Sequence, residues 1–215
     1  MYTLHHCPGS CSTAPHILLE ECGADYDTRL VVLSKGEQRT EAYRKINPHG
    51  KVPALAVGDR IITQNPAILQ FIASQFPDAG LAPPDPLDLA RCMEIAGWLS
   101  SAAHPAYGLA RHPERPAGAA CLDEAAVEAI RDNGRKLFWG CLEEIESRLS
   151  GSAWMMGHRY SYLDPYALVF FGWGVQLEMP MNELGNFTSF RDRMLARPAV
   201  HRVLEREQSP LLGAV

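Results

Sequence analysis

The stretch Tyr2-Thr3-Leu4-His5-His6-Cys7-Pro8-Gly9-Ser10-Cys11-Ser12 opens the chain with a short strand, breaks it at Pro8-Gly9, and places a cysteine where a helix begins. Ser12 to Glu21 has helical spacing, with Pro15 in the first turn and Gly23 as the stop signal. A thiol at a helix N-terminus has its ionised form favoured by the macrodipole and by unpaired backbone N–H groups. Farther on, Val52-Pro53 leads from an irregular segment into another apolar strand, a setting suited to a cis peptide bond. A reversal of that kind leaves the preceding N–H and C=O facing outward. The pairing predicts a site built around a thiol. On these residues alone, a buried structural cysteine beside an N-cap serine is the competing reading.

Working outward, the first third alternates element types. Leu30 to Leu33 reads as a second strand and Glu41 to Ile46 as a short helix broken by Asn47-Pro48-His49-Gly50. Val52 to Val57 and Arg60 to Thr63 read as a hairpin about Gly58-Asp59, and Pro66 to Phe76 as a helix carrying Ile68, Leu69, Ile72 and Phe76. The order β-α-β-α-β-β-α predicts an α/β thioredoxin-like N-terminal domain over residues 1–76. Residues 77–86 hold Pro77, Pro83, Pro84 and Pro86 and read as an irregular linker. Residues 87–215 read as an all-α C-terminal helical domain. It has long helices over Leu87 to Ala110 and Glu124 to Leu149 and shorter ones over Phe187 to Ala196 and Pro198 to Glu207. Ser161-x-x-Asp164 is a capping box ahead of an apolar helix, so Asp164 is a folding residue. Trp98, Trp139, Trp154 and Trp173 read as helix-bundle core.

Composition narrows the class. The 215 residues are 47% apolar and 21% charged, the balance of a soluble globular protein, and they can bury a full core. A net charge of -5 offers no field for nucleic acid or an anionic membrane. The apolar run from Ala167 to Val175 falls far short of the ~20 residues that cross a bilayer. The polar start of the chain shows no secretory leader, which predicts a reducing cytoplasm and free thiols for the six cysteines. Cys7-x3-Cys11 suits a disulfide or half a metal site, but no second Cys or His pair at zinc spacing accompanies it, so no metal is expected.

These residues, with Asn47-Pro48-His49-Gly50-Lys51-Val52-Pro53, Gln64-Asn65-Pro66, Trp98-Leu99-Ser100-Ser101, Tyr162-Leu163-Asp164-Pro165-Tyr166 and Arg197-Pro198-Ala199-Val200, resemble the cytosolic glutathione transferases, above all the bacterial beta class, along the whole chain. The resemblance implies glutathione as co-substrate. It places Cys11 and Ser12 at the glutathione sulfur and brings His104 toward it. Val52, positioned by Pro53, pairs its backbone with the cysteinyl part of the tripeptide. Lys35 and Lys51 meet its carboxylates, and Gln64 and Asn65 receive the γ-glutamyl end, where the class usually has Glu-Ser. Tyr107 and His112 are rivals of His104 for the space near the sulfur. The implied activity is thiol attack on a small hydrophobic electrophile, or thiol–disulfide exchange, by a cytoplasmic homodimer with a detoxification role. Arg91 and Glu94 are candidate dimer contacts. The second hypothesis is a non-catalytic binding or stress-response protein of the same fold, kept open by the changed Gln64-Asn65 pair.

Overall fold

The computed structural model describes residues 1–115 and 122–213; Cys121 lies outside them. Strand β1 (Tyr2–His6) runs into helix α1 (Thr13–Glu21), and β2 (Tyr26–Leu30) returns parallel to β1 with Tyr2 opposite Tyr26. After a single helical turn, α2 (Glu41–Arg44), come β3 (Ala54–Val57), β4 (Arg60–Thr63) and α3 (Asn65–Gln75). The sheet order is β2-β1-β3-β4, with β3 antiparallel to both of its neighbours. This is the mixed four-stranded sheet of a thioredoxin-like domain.

Two strands differ from the sequence reading. β2 lies at 26–30 rather than 30–33 because it is an edge strand. Asp27, Thr28, Arg29 and Leu30 are exposed, and charge on an edge discourages further pairing. The apolar run that suggested a strand instead caps the sheet through Val31 N–H to His6 O (2.8 Å) and then turns at Leu33–Lys35. β3 begins at Ala54 rather than Val52. The Val52–Pro53 peptide is cis, as expected, and Pro53 has no N–H to give the ladder.

The helical part comprises α4 (Pro86–Trp98), α5 (His104–Arg111), α6 (Glu124–Arg148), α7 (Leu163–Gln176), α8 (Gly185–Leu195) and α9 (Pro198–Arg206). The one long helix expected over 87–110 is broken. Pro105 cannot donate to the preceding turn, and the chain passes through a π-turn at Leu99–Ala103, with His104 N–H reaching back to Leu99 O. The proline-rich segment is also less irregular than expected. Pro77–Ala79 forms a 3-10 turn, Leu81 is buried and accepts Tyr162 N–H at 2.9 Å, and Asp85 caps α4 through Leu87 and Asp88 N–H. The capping box is present: Asp164 accepts from Ser161 N–H at 2.6 Å and from Met155 N–H at 2.8 Å. Of the four tryptophans, only Trp173 is fully buried; the other three are half-buried against the core.

The central helix α7 is buried along nearly its whole length because its sequence is apolar on every face. It packs on α1, and α1 also packs on α3 and α9, so the turn ahead of α1 is clamped between sheet and bundle. Polar ties join the same elements. Arg197 pairs with both oxygens of Glu21, and Arg202 and Arg206 pair with Glu20. Deeper, Glu207 is buried just past α9. It accepts Thr13 Oγ1–H at 2.6 Å and Gly9 N–H at 3.3 Å, and its Oε1 lies 2.7 Å from His16 Nδ1 and 3.5 Å from His6 Nδ1. A carboxylate only accepts, so His16 carries its proton on Nδ1. These bonds to the ionised form hold the Glu207 carboxyl down at about 2 against the opposing effect of burial.

Candidate active site

The turn between β1 and α1 is built on its own hydrogen bonds. Cys7 O accepts from Ser10 N–H (3.1 Å), Ser10 Oγ–H (2.7 Å) and Ser12 Oγ–H (3.1 Å), and Cys7 N–H donates to Ser12 Oγ (3.0 Å). Gly9, at φ +71°, makes the reversal without a Cβ penalty. Trp173 Nε1–H ties the turn to α7 through Gly9 O at 3.0 Å. Ser12 stands just ahead of α1, at its N-cap position, but its side chain caps nothing. Its side chain is fully buried and bonded back to Cys7 and Ser10. The expectation that its hydroxyl is free to meet a ligand sulfur therefore changes. Ser10, half-buried, is the more open hydroxyl of the two.

Cys11 follows at the mouth of α1 and is 6% exposed, its Sγ 3.5 Å from Val52 O. Burial pushes its thiol up to about 12, outweighing its own backbone N–H and the charge of Lys51, both of which favour the thiolate. The helix-start argument anticipated a lowered value. Desolvation of the sulfur wins here, so Cys11 is a thiol in this state.

The facing wall carries Lys51, Val52 and Pro53. Tyr43 Oη–H and Asn47 Nδ2–H both donate to Lys51 O, at 2.9 and 2.6 Å, and fix this loop. Val52 N–H has no hydrogen-bond acceptor among the described residues, because the ladder starts two residues later. Lys51 is exposed, and its charge acts on both Cys11 and His104. His104 starts α5 just after the π-turn, with its ring edge-to-face on Trp173 at 4.8 Å. Burial and the Lys51 charge lower its pKa to about 4, so it is neutral at physiological pH. Tyr107, one turn on, stacks flat on Trp173 at 4.0 Å and donates to Gln176 Oε1 at 3.1 Å. His112 lies at the end of α5, paired at 3.5 Å with Glu114.

Gln64 and Asn65 divide their roles. Gln64 is exposed and holds φ at +72°, a conformation that non-glycine residues seldom adopt and that is found at functional sites. Asn65 turns inward. Its Nδ2–H donates to Cys11 O at 3.0 Å, and its buried Oδ1 has no hydrogen-bond partner among the described residues. The start of α3 suits an anion through its unpaired backbone N–H groups, of which Pro66 supplies none. Lys35 sits on the exposed turn after β2, and its side chain makes no hydrogen bond or ion pair among the described residues. The structure thus brings Cys11, Val52, Lys51, His104 and Asn65 together. It leaves Lys35 outside this set and closes Ser12 off.

The sequence reading missed the His6–His16–Glu207 cluster, whose ligand-type atoms lie within 4.8 Å of one another. The parts come from β1, α1 and the end of α9, and nothing local links them. A histidine set directly before the apolar run Ile17-Leu18-Leu19 of a helix was the available signal. At 2.7 Å, His16 Nδ1 and Glu207 Oε1 are at hydrogen-bonding separation rather than spread around an ion, and Thr13 and Gly9 occupy the other carboxylate oxygen.

Comparison with known proteins agrees with this geometry. Residues 1–74 match the glutathione S-transferase N-terminal domain. The glutathione S-transferase GstA of Escherichia coli O157:H7 is 28% identical over 95% of this chain and 98% of its own. A glutathione transferase homologue from Sulfitobacter, solved with bound glutathione, superposes with a TM-score of 0.89 at 29% identity, covering 96% of this chain and 98% of that one. The bacterial beta-class glutathione S-transferase of Sphingomonas chungbukensis is 32% identical, with a TM-score of 0.81 over 95% of this chain and 98% of its own. With a thioredoxin-like sheet, a cis-Pro53 loop facing Cys11 and likeness to such proteins over nearly its full length, the chain belongs to the glutathione S-transferase family and resembles its bacterial beta class.

Proposed function

We propose that this protein binds glutathione along the Lys51–Val52 edge and directs its thiol at a small hydrophobic electrophile, or into thiol–disulfide exchange. The observation that carries the reading is Val52. Its N–H lies outside the ladder with no acceptor among the described residues, and its C=O lies 3.5 Å from Cys11 Sγ, a backbone edge on which an extended peptide can add as a short strand. The first-turn N–H groups of α3 suit the γ-glutamyl carboxylate, and Lys51 suits a second one. Near the sulfur, the Lys51 charge and the Cys11 N–H favour a thiolate. His104 is neutral there and acts as a polar neighbour rather than a cation. Half-buried Tyr107, backed by the buried Trp173 on which it stacks, gives an electrophile an aromatic surface.

Residues 1–76 hold glutathione in this reading, and residues 87–215 supply the acceptor wall and the contacts of a homodimer. Exposed Leu87, Met93 and Leu137 on α4 and α6, with the Arg91–Glu94 pair at 2.6 Å, support that surface. The working compartment is the cytoplasm, where glutathione keeps thiols reduced, and the role is detoxification; no described helix is long and apolar enough to cross a membrane. Retention on glutathione resin, followed by turnover of a chlorinated nitroaromatic acceptor, tests the proposal. Retention with turnover is the expected result. Retention without turnover would leave a binding protein, and loss of both would overturn the reading.

A further inference from the structure

The aromatic side of the proposed site holds a polar group that no glutathione contact uses. Gln176 is the last residue of α7, one turn past Trp173, whose Nε1–H bonds Gly9 O at 3.0 Å. Side chains three apart share a helix face, so Gln176 follows Trp173 toward the β1–α1 turn. Two contacts fix its place. Its Oε1 accepts Tyr107 Oη–H at 3.1 Å, and its Nε2 lies 3.6 Å from where a Cβ on Gly9 would stand. The side chain therefore bridges α5 and the turn that leads to Cys11. Burial raises the Tyr107 pKa, which keeps the phenol protonated and donating. With its oxygen engaged, the Gln176 amide is left as a donor. Its NH2 has no hydrogen-bond acceptor among the described residues, the side chain is exposed, and glycine at position 9 leaves the NH2 uncovered. Gly9, Ser10, Trp173, Gln176 and Leu211 line a hollow of about 30 Å³, far too small for an aromatic ring. The ring of an electrophile therefore rests on Tyr107, and a polar group on that ring or its side chain reaches the Gln176 amide.

We propose that Gln176 is the specificity-determining donor of the acceptor site, and that it hydrogen-bonds the oxygen of an electrophile whose reacting carbon is conjugated to a carbonyl or nitro group. This deepens the glutathione reading and rests on it. With an α,β-unsaturated ketone, the glutathione thiolate forms a C–S bond at the β-carbon. The C=C π pair shifts toward the carbonyl, and the negative charge arrives on the oxygen held by Gln176 N–H. The α-carbon of this enolate then takes a proton from water, so the product is one glutathione added to one ketone. A donor already aimed at the oxygen where charge develops favours the transition state over the bound ketone. A benzyl halide has no such oxygen. Its reacting carbon exchanges a C–halogen bond for a C–S bond, and the charge leaves with the halide ion.

Conjugation of 4-phenyl-3-buten-2-one and of benzyl chloride, which share the phenyl ring, is followed at saturating glutathione for the wild type, Gln176→Met and Tyr107→Phe. Far-ultraviolet circular dichroism serves as the folding control. Gln176→Met keeps the length of the side chain and removes the donor. It is expected to lower the ratio of ketone to benzyl chloride kcat/KM roughly tenfold, mainly through kcat for the ketone, the scale of one hydrogen bond to a charged oxygen. Tyr107→Phe keeps the ring and leaves the amide in place, so the ratio should fall less than in Gln176→Met. If the wild type accepts the ketone alone, the ketone kcat carries the same expectation. An unchanged ratio in Gln176→Met would overturn the assignment. So would an equal fall in Tyr107→Phe, which would show that Gln176 only props the tyrosine, or a wild type that accepts benzyl chloride alone. A wild type that turns over neither acceptor would overturn the glutathione reading and this proposal with it.

Discussion

Replacing Glu207 by Gln removes the charge at the centre of the buried junction between β1, α1 and α9 while keeping its shape. Three donors converge on this carboxylate, from Thr13, His16 and Gly9, and its side chain is 1% exposed, so solvent screens little of the interaction. A carboxyl held at about 2, against an ordinary value of 4.5, contributes about 3 kcal/mol to stability at neutral pH. The folded value is the depressed one. The contribution is therefore complete above the unfolded value and is lost as pH falls from about 5 toward 2. Glu207→Gln is expected to lose about 2–3 kcal/mol, and Glu207→Ala, which also strands His16 and Thr13, about 3–5 kcal/mol. For a chain of this size that is roughly 4–12 °C in Tm for the Gln variant. Urea melts followed by circular dichroism across acid and neutral pH read both effects. The gap between wild type and variant should be widest near neutrality and close in acid. A Gln variant that melts with wild type at neutral pH, or a gap that does not narrow in acid, would refute the reasoning.

Other consequences are open to direct measurement. With its thiol pushed up to about 12, Cys11 is ionised to roughly one part in 10,000 at about pH 8, so limited alkylation and peptide mapping should find Cys7 modified before Cys11; the reverse order would contradict the burial argument. Gly134 on α6 lies where a Cβ would collide with the Ala110 backbone of α5, so Gly134→Ala should destabilise the helical part by about 1–3 kcal/mol in thermal melts, and an unchanged Tm would show that the two helices can separate. Lys51→Met removes a charge that lowers the His104 pKa, so its NMR titration midpoint should rise from about 4, and glutathione affinity should fall by up to about 1 kcal/mol, roughly fivefold.

What was legible in the sequence had local causes. The Pro8-Gly9 break, the Gly58-Asp59 hairpin, the Ser161–Asp164 capping box and the Val52–Pro53 step each announce themselves within a few residues, and each stands in the structure as read. What was misread depended on tertiary context. An apolar run at 30–33 looks like a strand until β1 fixes the register of β2 at 26–30. Pro105 looks harmless inside a long apolar pattern until its missing N–H forces the π-turn that starts α5 at His104. Ser12 and Asn65 have polar side chains suited to a ligand, yet both are spent holding the Cys7–Cys11 turn. The Glu207 cluster joins residues 191 positions apart, and no sequence period connects them.

The central claim is that glutathione lies along Val52 with its sulfur at the Cys11 end of the turn. Backbone amide NMR during titration with reduced glutathione tests it most directly. The largest saturable shifts are predicted at Val52, at Cys11 and in the first turn of α3, and a Val52→Pro variant, which lacks the N–H, should lose affinity while keeping its far-ultraviolet circular dichroism. Saturable binding that leaves the Val52 and Cys11 amides unmoved would contradict the account.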